Sequence, residues 1–396
     1  MLTSLSLIFL IGMLMGSIFK KLKLPSLLGM LLTGIVLGPH VLNLLDGKII
    51  EISSDLRKLA LIIILARAGL SLDVKDLIKV GRPAILMCFL PACFEIIGMI
   101  LLAPRLLNVS ILDAAIMGAV VGAVSPAVVV PKMLNLMENG YGTDKSIPQL
   151  ILAGASVDDV FVIVMFTSFT GLAQGETISA SSFLQIPVSI ILGLIGGFIV
   201  GLIIIELFKR FHMRDSNKVI VILGIAFLLA AVEDILKGIV PFSGLLAVMS
   251  LGIHIQKKNN TLAGRISSKF SKLWVAAELI LFVLVGAAVD IEYATKAGVS
   301  SIILIFGILV FRMVGVYICL LKTQLSIKER LFCMIAYTPK ATVQAAIGSV
   351  PLAMGLDCGQ IVLTVAVIAI LITAPLGAFG IDVTYKKLLH HNQIVK

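Results

Sequence analysis

Long apolar runs, separated by short stretches rich in Lys and Arg, dominate this chain and limit what it can fold into. Hydrophobic residues make up 59% of its 396 residues and charged residues only 14%, whereas soluble domains carry about a quarter charged residues. One membrane-spanning helix needs about 20 residues, so a chain of this length has room for more than a dozen. The composition therefore excludes an ordinary soluble enzyme and predicts an all-α polytopic membrane protein.

The apolar runs between clusters of charge predict about 13 transmembrane helices, and no stretch between them resembles a linker or a soluble domain. The predicted spans are residues 2–19, 24–45, 56–72, 83–103, 111–137, 147–170, 183–208, 218–235, 240–256, 273–290, 298–321, 330–354 and 358–380. The loops between them are short, so the whole chain is expected to be membrane domain.

The basic residues predict the orientation of the chain. When the thirteen spans alternate, 23 of the 32 Lys and Arg residues fall on one side and six on the other. Basic residues collect on the cytoplasmic side, which predicts an outside N-terminus and a cytoplasmic C-terminus, in a bacterial inner (plasma) membrane. The net charge of +10 then reflects orientation and contact with membrane lipids, and we expect no nucleic acid as a partner. The basic stretch 257–272 is expected to be a lipid-facing cytoplasmic loop.

Two predicted spans are interrupted by proline, at Pro126 in the fifth and Pro339 in the twelfth. Proline removes a backbone donor, and in a membrane the freed groups are tolerated only beside protein or a water-filled cavity. The two spans are seven apart, so they cross the membrane in opposite directions. This spacing favours an inverted repeat of spans one to six and eight to thirteen, with a transport site at its breaks, over two purely structural kinks.

Five ionisable residues lie near the middle of predicted spans: Glu95, Asp158, Asp159, Arg312 and Lys340. Each costs about 2.5–3.5 kcal/mol to insert on the most lenient scale, so they are expected to pair or to line water. Glu95 and Arg312 fall on equivalent spans of the two halves and are predicted to form a structural ion pair. Lys340 lies at the second break, where it is expected to offset the negative ends of the half-helices.

The adjacent Asp158 and Asp159 predict a site for a monovalent cation and a proton. Buried carboxylates close to one another can hold either a proton or a small hard cation, which prefers oxygen ligands. Ser125, Ser156 and Thr338 are candidates for further oxygen ligands. With all five central groups ionised their charge sums to −1, so one Na⁺ or one H⁺ would neutralise it and favour electroneutral 1:1 exchange. Proton exchange by Lys340 or Arg312 would instead allow electrogenic transport.

Five stretches of the sequence together resemble the monovalent cation:proton antiporters, most closely the NHA-type Na⁺/H⁺ antiporters. They are LLGMLLTG at 27–34, RAGL at 67–70, SPAVVVP at 125–131, GASVDD at 154–159 and PKATVQAA at 339–346. They extend from the second predicted span to the twelfth, so the resemblance covers nearly the whole chain. It implies a transporter of Na⁺ or Li⁺ and H⁺ with no cofactor.

The resemblance also implies a homodimer in which a mobile core with two crossed, broken helices works against a dimerisation panel. Carried over to this sequence, the panel is residues 1–82 and 218–297, and the ion-transporting core is residues 83–172 and 298–380. A linker helix at 173–217 and a cytoplasmic tail at 381–396 complete the chain. Asp159 resembles the principal carrier of ion and proton, with Asp158 assisting, and Glu95 and Arg312 match an ion pair of the NHA branch.

Two departures from the family pattern leave stoichiometry and ion selectivity open. Electrogenic bacterial relatives with paired aspartates carry Lys at the position of Arg312, and other branches have Thr-Asp-Pro where this chain has Val-Ser125-Pro126.

Three other functions fit the sequence less well than antiport does. An intramembrane aspartyl protease needs two aspartates that face each other from different helices, whereas Asp158 and Asp159 are consecutive. A passive cation channel is disfavoured by the buried Arg312 and Lys340. Coupled transport of another solute with H⁺ or Na⁺ is the alternative that remains.

Overall fold

The structure is a computed structural model that describes residues 1–71, 81–174, 180–236 and 240–392; within these ranges the side chains of 156, 160, 180–187, 190, 234 and 293–297 lie outside the description. The described residues form helices and no strand, and one isolated antiparallel bridge joins Tyr141 to His391. The prediction of an all-α fold is therefore confirmed.

Eighteen helices make up the described part of the chain. They are α1 Leu2–Lys21, α2 Ser26–Leu37, α3 Gly47–Glu51, α4 Ser53–Ser71, α5 Arg82–Met87, α6 Leu90–Leu107, α7 Ile111–Val121, α8 Pro126–Glu138, α9 Ile147–Ala173, α10 Ala180–Arg210, α11 Asp215–Leu236, α12 Gly244–Lys258, α13 Asn260–Ala287, α14 Ile291–Cys319, α15 Ile327–Ala336, α16 Thr342–Ile347, α17 Val350–Ala353 and α18 Gly359–Leu388.

The chain divides into two compact units. The first consists of Met1–Ser54, Asp76–Ala173 and Leu281–Lys396, and the second of Asp55–Lys75 and Gln174–Ile280. The family resemblance implies a division into panel, core and linker, in which the core moves relative to the panel. That division stays a prediction.

Within the described residues, nine helical stretches are long and apolar enough to cross a membrane. They are Leu2–Lys21, Arg82–Leu107, Ile111–Glu138, Ile147–Ala173, Ile191–Arg210, Asp215–Glu233, Asn260–Ala287, Gly298–Cys319 and Gly359–Leu388. Two shorter apolar helices, Ser26–Leu37 and Thr342–Ala353, coincide with the predicted second and twelfth spans. The structure thus supports many spans, while the count of thirteen and the inverted repeat stay predictions.

Two predicted boundaries were wrong. The second span was expected at 24–45, but α2 ends at Leu37, because Gly38 is followed by Pro39, which cannot donate to a helix. The basic stretch 257–272 is mostly helical, since α12 continues to Lys258 and α13 starts at Asn260. The side chain of Asn259 accepts a hydrogen bond from the N–H of Leu262 at 3.0 Å, so it caps the new helix where a loop was expected.

In the second unit, glycines let helices pack backbone against backbone. A Cβ added to Gly197 on α10 would lie 2.1 Å from the carbonyl oxygen of Ala247 on α12, and one added to Gly69 on α4 would lie 2.3 Å from that of Met249. Side chains larger than hydrogen do not fit at these distances, so we call these two positions the glycine contacts.

In the first unit, α6 and α14 pack closely along their length. The ring of Phe311 lies against Gly98, and Gly315 lies against the backbone of Pro91. These close approaches bring the stretch of α6 that carries Glu95 against the stretch of α14 that carries Arg312.

Candidate functional site

The two interrupted spans meet at their breaks in the first unit. The helix α7 ends at Val121 and α8 begins at Pro126, because the ring of Pro126 would clash with the carbonyl of residue 122 in a continuous helix. The helix α15 ends at Ala336 and α16 begins at Thr342, with Pro339 between them. The N–H of Ser125 donates to the carbonyl of Pro339 at 2.7 Å. We call residues 121–125 and 336–342 the crossing.

Arg312 links two carboxylates to the crossing. Its Nη1 lies 2.7 Å from Oε2 of Glu95 and its Nη2 lies 2.9 Å from Oδ2 of Asp158. Its Nε donates to the carbonyl of Tyr337 at 2.6 Å, and Nη1 also donates to the carbonyl of Gly122. The residue is 1% exposed, so the planar guanidinium group is held on several sides inside the protein.

Lys340 is fully buried and lies between Glu95 and the end of α7. Its Nζ is 2.6 Å from Oε1 and 2.8 Å from Oε2 of Glu95, and it donates to the carbonyl of Val121. The lysine therefore sits at the C-terminal end of a half-helix, where a positive charge is favourable. Glu95 is contacted by two cations, where the sequence predicted one.

The two aspartates of α9 differ in their partners. Oδ2 of Asp158 accepts hydrogen bonds from the N–H of Val124 at 2.9 Å and from Arg312. Oδ1 of Asp159 is buried and has no hydrogen-bond partner among the described residues. Among the described residues no ion pair involves Asp159 either, although this residue is only 7% exposed. The negative charge without a matching cation therefore falls on Asp159.

The three candidate oxygen ligands differ in how far the structure describes them. The hydroxyl of Ser125 is buried and makes no hydrogen bond to any described residue. The hydroxyl of Thr338 donates to the carbonyl of Ile335 at 2.8 Å, which leaves its lone pairs as acceptors. The side chain of Ser156 lies outside the described residues, so its role stays a prediction.

One residue of the crossing and one just beyond it were not found from the sequence. The hydroxyl of Tyr337 donates to the carbonyl of Met87 at 3.0 Å, and the ring fits because Gly154 has no Cβ to collide with it. The amide nitrogen of Gln344 donates to the carbonyl of Ala123 at 2.9 Å. A polar amide inside the apolar stretch PKATVQAA was a signal for Gln344, whereas nothing in the sequence distinguished Tyr337.

Comparison with known proteins places this arrangement in a family. The sequence model described as "Sodium/hydrogen exchanger, transmembrane" matches residues 5–387. The chain belongs to the sodium/hydrogen exchanger family. The members of this family are transporters, so the predictions of a transporter and of an integral membrane protein are confirmed.

The exchanger is similar to curated proteins from mammals. It is 35% identical over 383 residues to human sodium/hydrogen exchanger 9B2, which covers 92% of this chain and 70% of that protein. It is 32% identical over 394 residues to human sodium/hydrogen exchanger 9B1, which covers 92% of this chain and 73% of that protein. The resemblance to the cation:proton antiporters inferred from the motifs is therefore confirmed.

The fold of the exchanger is similar to that of a solved archaeal protein. The sodium proton antiporter MjNhaP1 from Methanocaldococcus jannaschii aligns with a TM-score of 0.87, 21% sequence identity and 98% coverage of both chains. The likeness shows that the predicted antiporter-like fold is correct at the level of its overall architecture.

Proposed function

We propose that this exchanger moves Na⁺ or Li⁺ in one direction and H⁺ in the other, with Asp159 as the principal binding residue and Asp158 assisting. The observation that carries the proposal is the mismatch of charges at the crossing. Three buried carboxylates face two buried cations, and both cations are engaged by Glu95 and Asp158. Asp159 is left with a buried oxygen that no described residue contacts by a hydrogen bond.

A buried carboxylate without a cation is unstable unless it takes up a positive charge. Either a proton or a small monovalent cation satisfies this need, but one carboxylate cannot hold both, so the two ions compete. Ser125, Ser156 and Thr338 are proposed as supporting oxygen ligands of the cation, since Na⁺ and Li⁺ are hard ions that oxygen binds well. Competition at one site is the physical basis of exchange.

The same balance of charge favours electroneutral 1:1 exchange. The five central groups sum to −1 when all are ionised, so one H⁺ or one Na⁺ neutralises the site. Both loaded forms then carry the same charge across the membrane, and the membrane potential does no work on either. Arg312 and Lys340 pair closely with Glu95 and Asp158, which leaves one negative charge to be neutralised by the transported ion.

Transport is proposed to follow alternating access, in which the core at 83–172 and 298–380 moves against the panel at 1–82 and 218–297. The linker at 173–217 connects them, and we propose that two copies of the chain form a homodimer through the panel.

The basic residues favour an outside N-terminus and a cytoplasmic C-terminus in a bacterial inner membrane, where such exchange would serve pH homeostasis. Coupled transport of another solute is the second candidate, favoured only by the general use of such folds for coupled transport.

A proteoliposome experiment tests this function. Purified protein is reconstituted with a pH-sensitive dye inside, and pulses of Na⁺, Li⁺ and K⁺ are given with the membrane potential clamped at different values. We expect Na⁺ and Li⁺ to drive proton flux, about 100-fold less flux in Asp159→Asn, and equal rates at all potentials. Asp382→Asn, which changes an exposed aspartate paired with Lys132, is the matched control and keeps wild-type flux.

Each alternative gives a different result in that assay. Cation-driven flux that survives in Asp159→Asn would overturn the assignment of the site. A rate that changes strongly with the membrane potential would exclude 1:1 exchange. Proton flux that requires a further solute would favour the second candidate.

A further inference from the structure

Three consecutive carbonyl groups lie at the C-terminal end of α7 and in the break after it, and each accepts a hydrogen bond from a side chain. The carbonyl of Val121 accepts hydrogen bonds from Lys340 and, at 3.3 Å, from Gln344. The carbonyl of Gly122 accepts from Arg312. The carbonyl of Ala123 accepts from Gln344 at 2.9 Å. Because Pro126 and the break leave these groups without helical partners, the side chains replace the missing hydrogen bonds.

Gln344 is the neutral member of this set. It is fully buried on α16, and its amide nitrogen spans two carbonyl groups that are two residues apart. Carbonyl oxygens only accept, so the NH₂ end of the amide must face them and the orientation of the side chain is fixed. Its own carbonyl oxygen is buried and makes no hydrogen bond to a described residue. The side chain thus uses its NH₂ group to donate to the break of the fifth predicted span.

The peptide group that Gln344 holds is the one that donates a hydrogen bond to Asp158. The carbonyl of Ala123 and the N–H of Val124 belong to a single peptide unit, which is planar and rigid. The carbonyl end accepts from Gln344, and the N–H end donates to Oδ2 of Asp158 at 2.9 Å. A rotation of this plane would break both hydrogen bonds together. Gln344 therefore fixes the direction of the only backbone donor that Asp158 has among the described residues.

We infer that Gln344 is a positioning residue for the cation site, acting through the peptide between Ala123 and Val124 on Asp158 and its neighbour Asp159. This inference rests on the proposed function. The amide donors of Gln344 face carbonyl groups of the break and neither aspartate, so the side chain acts on the site through that peptide. It has an advantage over Arg312 and Lys340 for experiment, because its replacement changes the geometry of the break without changing the charge of the site.

The test compares Gln344→Met, which keeps the length of the side chain and removes both donors, with Gln256→Met. Gln256 is also buried and lies on α12 in the second unit, so it controls for the general cost of losing a buried amide. In proteoliposomes, Gln344→Met is expected to raise the apparent KM for Na⁺ about tenfold and to leave the maximal rate within about twofold. The tenfold change equals about 1.4 kcal/mol, the range of one buried hydrogen bond. Gln256→Met is expected to leave both quantities unchanged.

Hydrogen–deuterium exchange of the same detergent-purified proteins gives a readout that does not depend on transport. Peptides covering residues 121–125 should exchange at least tenfold faster in Gln344→Met than in the wild type, and at the wild-type rate in Gln256→Met. Unchanged exchange at 121–125, or faster exchange with an unchanged KM, would overturn the inference. A lower melting temperature with an unchanged KM would show a merely structural residue and overturn it as well.

The two proposals can fail separately. If the wild type shows no cation-driven proton flux, the proposed function fails. Exchange at residues 121–125 then decides alone whether Gln344 positions the peptide.

Discussion

In the first unit, the two broken helices meet through charges and hydrogen bonds, whereas in the second unit helices meet through the glycine contacts at Gly69 and Gly197. The crossing contains buried groups that need partners, and Arg312 alone serves four acceptors. At the glycine contacts, backbone lies against backbone with no room for another atom. A polar junction can exchange one partner for another at moderate cost, but a backbone contact has a single fit. The difference suits a site that must change its contacts at the crossing and a fixed arrangement at the glycine contacts.

The largest effect is expected at a glycine contact. Gly197→Leu would place side-chain atoms where the carbonyl of Ala247 lies, so we expect no monodisperse folded protein by size-exclusion chromatography. Gly224→Leu on α11 is the control, because nothing lies within 4 Å of a Cβ at that glycine, and it should fold normally. A folded Gly197→Leu with wild-type stability would end the distinction between the two regions.

The next effect is expected for Arg312. In Arg312→Met, Asp158 keeps only the N–H of Val124 as a donor among the described residues, and Glu95 keeps Lys340. Removing one partner of a buried pair costs about 3–5 kcal/mol, so the melting temperature should fall sharply. Arg312→Lys restores the charge without the planar fork and should recover only part of that loss. Full recovery by Lys would show that charge alone holds the crossing.

Replacing the two aspartates should have different effects in a thermal unfolding assay at pH 8. Asp158→Asn removes a charge that Arg312 engages and should lower the free energy of unfolding by about 1–3 kcal/mol. Asp159→Asn removes a buried charge that has no cation, so the stability should stay equal or rise. Equal losses in both variants would contradict the separate roles given to the two residues.

The smallest effect is expected at the edge of the first unit, where Nζ of Lys145 lies 2.8 Å from Oε2 of Glu329. Burial would raise the pKa of Glu329, but hydrogen bonds from Lys145 and Ser326 outweigh it and hold the pKa below its ordinary value. A lowered carboxylate pKa stabilises the fold above the pKa of the unfolded state and loses that effect as the pH falls through the folded pKa.

Lys145→Met should therefore cost about 1 kcal/mol or less near pH 7, and nothing once Glu329 is protonated in acid. Melting temperatures measured between pH 7 and pH 3.5 check this expectation. Lys132→Met, which removes a half-buried lysine paired with the exposed Asp382, is the matched control for a lost surface ion pair. A deficit in Lys145→Met that grows as the pH falls would contradict the assigned cause.

The sequence was informative where a residue type has few other uses. Pro126 and Pro339 inside apolar runs marked the breaks, because proline cannot complete a helical ladder. Glu95 and Arg312 were recognised because charges at such depth need partners. The ion pair that the structure contains between them was therefore predictable from their positions alone.

The remaining contacts depend on how helices cross. The contact between Arg312 and Asp158 could not be predicted from the sequence, because it depends on the rotation of α9 relative to α14. The role of Gln344 could not be predicted either, because it depends on the carbonyl of Ala123 lying beside its side chain. The early end of α2 and the helix at residues 260–272 were missed because hydropathy measures length in apolar residues and does not register helix caps.

The hydrogen bond from Ser125 to Pro339 has a consequence for the engineering of chimaeras. The breaks lie more than two hundred residues apart in the chain, yet each contributes one atom to a shared bond, and Arg312, Lys340 and Gln344 reach across to the other half. Replacing residues 111–138 alone with the equivalent part of a relative would introduce one break without the partner residues that contact it. The two breaks therefore depend on each other, and a working hybrid has to receive both from the same parent.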